Sequence, residues 1–221
     1  MNEEILKEIK DRKITRLCHI TPFHKAIHIL EEGILSPSLI KEDVREINDH
    51  VRAFRFSDYV SMSLEYPDFW YYRWRREEKD ISDFFVIFLC DPEIMAEETT
   101  LFSAINASRN NSNPAPGIKG FNSLFKDPLE ADNKIYRRNK LPDNVPTSDL
   151  AEVLIYQSVE RSHINATVVK TEDNARQLKV SAQLLGLECP AIYITTDFFN
   201  EMFSYNLREG ILPTMNEYTE R

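Results

Sequence analysis

The sequence predicts an α+β fold in a single domain spanning residues 1–221, and three observations carry that expectation. Strand-like and helix-like runs are interspersed without regular βαβ alternation. Only five glycines occur, Gly33, Gly117, Gly120, Gly186 and Gly210. Neither GxGxxG nor a Walker-type phosphate loop can be assembled from them, so a nucleotide must be held in some other way. Finally, 221 residues with 42% hydrophobic and 29% charged content can bury roughly 70% of the unfolded surface without disulfides or metals.

Each element follows from its pattern. Residues 1–13 read as an amphipathic helix with Ile5, Leu6 and Ile9 on one side. Ile14 to Ile20 reads as a strand closing at Thr21-Pro22, where Thr21 can N-cap a helix with Pro22 at its first position. That helix carries Phe23, Ile27 and Leu30 and stops at Gly33. The polar stretch from Ser36 to Ser57 is expected to be partly helical and mobile. Tyr59–Leu64 and the apolar run Phe84–Leu89 are strands. Asn106 to Asp127, rich in Asn, Ser, Pro and Gly, reads as a long functional loop, and Pro142–Asp149 as another. Ala151–Tyr156, Thr167–Val169 and Ala191–Thr195 are strands, with a helix over 173–187 and an acidic-aromatic tail.

Composition excludes several classes. Cys18, Cys90 and Cys189 are far apart with no CxxC pair, which argues against a disulfide framework or a zinc site and suits a reducing cytoplasm. The acidic start lacks the basic and apolar regions of a signal peptide, and no apolar run is long enough to span a membrane. Net charge is −9, which opposes phosphate binding on average. Most of the excess lies between Glu77 and Glu98, with eight acidic residues against Lys79. Two runs instead combine aromatic and basic side chains, Trp70–Arg76 and Lys134–Lys140. Local patches therefore decide more than the total.

Several side chains invite a functional reading beside a plain one. Glu152 interrupts an apolar strand; it either faces water from an edge strand or stands as a carboxylate at the mouth of a cleft. In either setting, without a buried partner, it would add little to stability. His19 ends the first strand and is structural or ligand-contacting. His24 and His28 share a helix face but have no evident third ligand, so no metal is expected. Arg45, Arg52 and Arg55 are solvated, or one of them enters a cleft to bind a pyrophosphate. In the Trp70–Arg76 run, the aromatics are expected in the core and the arginines outside. Tyr136, Arg137 and Arg138 lie near the Glu152 strand and form the pairing that stacks on and neutralises single-stranded nucleic acid.

The order of these pieces resembles one family. Leu17-Cys18-His19-Ile20-Thr21, followed by Ile29-Leu30-Glu31-Glu32-Gly33-Ile34-Leu35-Ser36, looks like the opening of the DarT nucleic-acid ADP-ribosyltransferase toxins. Asp58 to Asp68 is similar to the family's next strand, Asn106-Ala107-Ser108 echoes an Asn-Ala-Ala element, and Ala151-Glu152-Val153-Leu154 looks like the strand bearing the catalytic glutamate. Cys18 stands for a usual tyrosine, Leu150 for a polar residue, and Asp68 where asparagine is common.

The resemblance implies an ADP-ribosyltransferase-like split β-sheet core with flanking helices and NAD as co-substrate. It also implies Glu152 and Arg52 as catalytic residues, with His19, Thr21, Gly33, Arg55 and Ser61 contacting NAD. Tyr136, Arg137 and Arg138 would meet the nucleic acid. The expected reaction modifies a base in single-stranded DNA and releases nicotinamide. The alternatives are the same reaction on RNA, a protein acceptor, or an inactive binding module. A toxin of this kind implies a cognate antitoxin of macrodomain type and a role in phage defence.

Overall fold

The computed structural model describes residues 1–40, 55–79, 84–131 and 133–220. Arg45 and Arg52, and most of the stretch expected to be partly helical before Ser57, lie outside the described residues.

A nine-stranded sheet organises the chain, in the order β13-β12-β11-β4-β1-β3-β9-β5-β6. Its middle strands are β1 (Leu17–Pro22), β3 (Tyr59–Leu64), β4 (Phe85–Cys90) and β9 (Glu152–Tyr156). On one flank lie β11 (Ile164–Val169), β12 (Ala191–Ile194) and β13 (Asn216–Glu217); on the other lie β5 (Leu101–Ser103) and β6 (Ala115–Pro116). Among the described residues all pairings in this sheet are antiparallel except β11 with β12, which a crossover helix joins.

β4 shows why the sheet has two covered faces. Every residue of FVIFLC is buried. Val86, Phe88 and Cys90 enter one core, and Phe85, Ile87 and Leu89 enter the other, as period-two alternation requires. The first core takes α1 (Glu3–Asp11), α2 (Phe23–Glu32), α4 (Gly117–Ser123) and α5 (Glu172–Leu184). The second takes α3 (Phe69–Lys79), α6 (Phe203–Arg208) and the loop residues Leu141 and Val145.

The sheet splits between β1 and β3. β1 pairs with β4 over six residues, from Leu17↔Cys90 to Pro22↔Phe85. It pairs with β3 over only two, Leu17↔Leu64 and Cys18↔Ser63. At the next residue a side chain replaces the ladder, as His19 Nδ1–H donates to the Ser61 carbonyl at 3.2 Å. That bond fixes the tautomer, leaving Nε2 as an acceptor. Burial holds the imidazole pKa below its usual 6.5, against the raising effect of the Ser61 bond.

Most expected elements are present, and the departures have physical causes. Thr21 does not cap α2, because the β1–β4 ladder runs on through Pro22. Pro22 is the N-cap, without a side-chain bond, and Thr21 is buried in the strand. The stretch 106–127 is not one irregular loop, since it contains β6 and α4. Its glycine signal has another origin: a Cβ at Gly120 would lie 2.0 Å from the Ala115 carbonyl oxygen. The acidic-aromatic tail also folds, supplying α6 and the edge strand β13.

α3 overturns the expected division of aromatics and arginines. Phe69, Tyr72 and Arg75 follow one another at a spacing of three and share the buried side. Arg75 is 1% exposed, whereas Trp70 is 43% exposed. The Arg75 guanidinium lies over the rings of Trp74 and Tyr71, at 5.8 and 6.0 Å.

Two predictions follow from this packing. Gly120→Ala should push α4 off β6 and cost about 1–3 kcal/mol, read as a lower midpoint in thermal unfolding; an unchanged midpoint would mean the close contact is not made. His19 is less basic folded than unfolded, so its contribution to stability is complete above pH 6.5 and declines as pH falls below that value. Urea unfolding of His19→Gln should therefore lose less stability than wild type between about pH 7.5 and about pH 5.5.

Candidate active site

Among the described residues two carboxylates are buried, Glu65 and Glu152, and their partners separate their roles. The Glu65 carboxylate accepts from the Thr15 backbone N–H and, at 3.1 Å, from Thr15 Oγ1. Arg16 Nε lies 3.8 Å from its Oε2 and donates to the Glu65 carbonyl at 2.9 Å. Burial pushes the Glu65 pKa up against these partners. Glu65 thus clasps the start of β1 to the end of β3.

Glu152 is held differently. It opens β9, an interior strand between β3 and β5, and is 7% exposed. This corrects the expectation of a possible edge strand facing water. Val153 enters the first core, so alternation turns Glu152 to the opposite face. There its Oε2 accepts from the Ala107 backbone N–H at 2.7 Å, and its Oε1 from Asn106 Nδ2 at 3.4 Å. The expectation that it lacks a buried partner fails as well. Each carboxylate oxygen keeps acceptor capacity beyond these bonds.

The same loop is gripped from its far end by Arg55. Its Nη1 donates to the Arg109 carbonyl at 3.1 Å and to Ser112 Oγ at 3.3 Å, and its Nη2 reaches the Ser112 carbonyl at 3.4 Å. Inside the loop, Ser108 N–H donates to Asn106 Oδ1 at 3.0 Å, and Ser112 Oγ donates to the Ala107 carbonyl at 2.6 Å. A carboxylate and a guanidinium therefore bracket residues 106–112. Of the expected NAD contacts, His19, Thr21 and Ser61 lie along the split between β1 and β3, while Arg55, just before β3, donates to the bracketed loop.

Gly33 ends α2 at φ +84, and a Cβ there would lie 2.5 Å from the Val159 carbonyl. The close approach it permits is to the chain's own backbone, beside the short pair β2 (Ile34–Leu35) and β10 (Ser158–Val159).

The aromatic-basic run forms β8 (Lys134–Tyr136), the second strand of a hairpin with β7 (Leu129–Ala131), and continues into the following loop. Arg137 is exposed, but Arg138 turns inward. Arg138 Nη1 donates to the Val145 carbonyl at 2.7 Å and its Nη2 to the Pro142 carbonyl at 2.8 Å. Burial, with Arg12 nearby, lowers its pKa. A guanidinium committed in this way braces the loop, unlike the exposed group the sequence suggested.

A small apolar pocket lies between this loop and α6, with Ser63, Tyr66, Phe69, Val145, Ala151 and Leu207 in its wall. Ser63 continues the β3–β9 register to the level of Glu152, so the pocket opens beside the start of β9. The sequence marks Asn106-Ala107-Ser108 as an echo of a family element inside an expected functional loop, without a partner, and gives Ser112 and Asp149 no role. The polar run 106–112 was the available signal, but nothing local tells that it folds over Glu152. Among the described residues no group of three or more His, Cys, Asp or Glu side chains could hold a metal ion.

Comparisons with known proteins agree with this architecture. Thermosipho africanus DarTG in complex with ADP-ribose superposes with a TM-score of 0.62 at 17% identity, covering 84% of this chain and 51% of that one. The chain thus spans about half the length of that protein. Thermus sp. 2.9 DarT in complex with NAD+ gives a TM-score of 0.59 at 16% identity, covering 84% of this chain and 98% of that one. The same Thermus protein with ADP-ribosylated ssDNA gives 0.59 and 16%, covering 85% and 97%. At these identities the likeness is one of fold. No curated protein sequence matches the chain. The family model described as "ssDNA thymidine ADP-ribosyltransferase, DarT" matches residues 18–200, from the strand bearing His19 to beyond the last parallel strand, and the chain belongs to the DarT family.

Proposed function

We propose that this chain transfers ADP-ribose from NAD to a thymidine base of single-stranded DNA, with Glu152 as the catalytic residue. The observation that carries the reading is the placement of Glu152. It is a buried carboxylate on an interior strand, held by a loop that an arginine grips from the other end. In the reaction the nicotinamide–ribose bond breaks, nicotinamide leaves, and the ribose carbon bonds to a base nitrogen. Positive charge develops on the ribose ring, and a fixed carboxylate stabilises it more effectively than mobile water does. Thymine in a nucleoside has one N–H, and its proton must leave as the new bond forms; Glu152 is the group proposed to take it.

NAD is placed at the split, with His19, Thr21 and Ser61 along β1 and β3 and Gly33 at the end of α2. The diphosphate falls to an arginine: Arg52, Arg55 or Arg45. Tyr136 and Arg137 meet the DNA, and Arg138 shapes the loop that carries them. The family description favours DNA over RNA or protein as acceptor. An enzyme that modifies bases in its host must be restrained, so a macrodomain-type antitoxin is the partner proposed. This fits a cytoplasmic toxin acting in phage defence.

Labelled NAD incubated with pools of single-stranded DNA, RNA and protein should label only the DNA. Transfer to RNA or protein alone would reject the assignment, and no transfer at all would favour an inactive module. Glu152→Gln should slow transfer by on the order of 100-fold or more while NAD affinity persists. Because the Ala107 and Asn106 bonds are buried, the same change should also cost about 1–2 kcal/mol of stability. Wild-type transfer by this variant would remove Glu152 from the active site.

The basic run divides into two roles that can be told apart. Arg137→Ala should weaken DNA binding and reduce its salt slope by about 0.7. Arg138→Ala should leave the slope unchanged and loosen the loop; equal slope losses in both variants would contradict the inward placement of Arg138.

A further inference from the structure

We propose that Arg208 is the positioning residue that holds the loop 137–149 in the shape that leads into Glu152. The inference rests on the reading above that this loop meets the acceptor strand. It concerns a side chain from α6, which lies beyond the span 18–200 that the family model matches.

The geometry is that of a clamp. Arg208 Nη1 donates to the Arg137 carbonyl at 3.4 Å, and Nη2 donates to the Thr147 carbonyl at 3.1 Å. Nη2 also lies 3.8 Å from Asp149 Oδ1. The guanidinium carbon stands 5.8 Å from the centre of the Tyr136 ring. One side chain thus ties both ends of a loop that contains neither helix nor strand. Two further groups complete the hold. Arg138 binds the loop from within, through Pro142, Val145 and, at 3.3 Å, Thr147 Oγ1. From the other side, Trp70 Nε1 donates to Asp149 Oδ2 at 2.8 Å.

The clamp is anchored. Phe203 and Leu207, on the same short helix, are buried in the second core, so the helix moves with the sheet. The loop then reaches Glu152 with little slack. Leu150 N–H donates to Ser148 Oγ at 3.2 Å, and Ala151 N–H donates to the Ser148 carbonyl at 3.1 Å. Holding two carbonyls and facing a carboxylate at once requires the planar fork of arginine; an ammonium is a point charge without that fixed geometry. The charge of Arg208 is already met by Asp149 and the Tyr136 ring, which is why it acts through the loop and not on a phosphate.

The test uses the full chain, saturating NAD and a thymidine-containing single-stranded oligonucleotide. Arg208→Ala and Arg208→Lys should both raise KM for the oligonucleotide by roughly tenfold or more, with kcat within about threefold of wild type. NAD affinity and the salt slope of DNA binding should not change. Hydrogen exchange of the amides in 137–149 should accelerate in both variants. Rescue by lysine, or a salt slope lower by about 0.7, would assign Arg208 to a direct phosphate contact and overturn the proposal. Unchanged KM and unchanged exchange would overturn it too.

If Arg208→Ala does not fold, Asp149→Asn removes the ion pair without touching Phe203 or Leu207, and should raise KM and exchange in the same direction. Absence of DNA modification by the wild type would reject the proposed function instead. The exchange measurement needs no substrate, so it still decides whether Arg208 holds the loop.

Discussion

Much of this structure depends on where a hydrogen-bond ladder stops. β1 is zipped to β4 along six residues but to β3 along only two. Beyond Cys18 the two halves of the sheet part, and the His19 imidazole spans the gap to the Ser61 carbonyl. A buried carbonyl facing a gap must find a donor, and a neutral imidazole supplies one without placing a charge in the core. The sheet therefore remains continuous at one end and opens at the other.

Glu152 stands on the β3–β9–β5 side of the split, level with Ser63 where the β1–β3 ladder ends, and its setting reconciles a buried acid with a folded core. An isolated buried carboxylate is costly. Here the cost is offset by the Ala107 N–H and the Asn106 amide, both from a loop that Arg55 holds at its other end. The loop satisfies the acid and keeps it fixed, which is the preorganised charge that the proposed catalytic role requires. Glu65, equally buried, is consumed by Thr15 and Arg16 at the sheet's closed end. Identical side chains are given different work by their neighbours.

Basic residues show the same division between solvent and scaffold. Arg75, Arg138 and Arg208 come from segments that composition would assign to a charged surface. Arg75 lies in the core against aromatic rings, while Arg138 and Arg208 turn their guanidinium groups to loop carbonyls. Arginine can do this because it is weakly hydrated and offers five donors in a plane. A protein with net charge −9 can thus build an irregular loop beside Glu152 without adding a regular element to support it.

Sequence by itself determined the long strands β1, β3, β4, β9, β11 and β12 and the order of the motifs. The uninterrupted apolar run of β4, the alternation of β3 and the lone acid in β9 are local patterns with direct physical meaning; they pointed to the fold class, and the motif order pointed to the family. Wherever a residue's role is defined by what it touches far along the chain, tertiary structure decided. Gly120 marks a helix pressed on a strand, although its neighbours spell a loop. Thr21 belongs to a ladder, although its own dipeptide spells a cap. Arg75 falls on the buried stripe of α3, and Arg208 meets Thr147 across 61 residues of chain. Periodicity records which side of an element is apolar; it carries no record of which distant carbonyl a guanidinium will find, because that distance exists only after the sheet has folded.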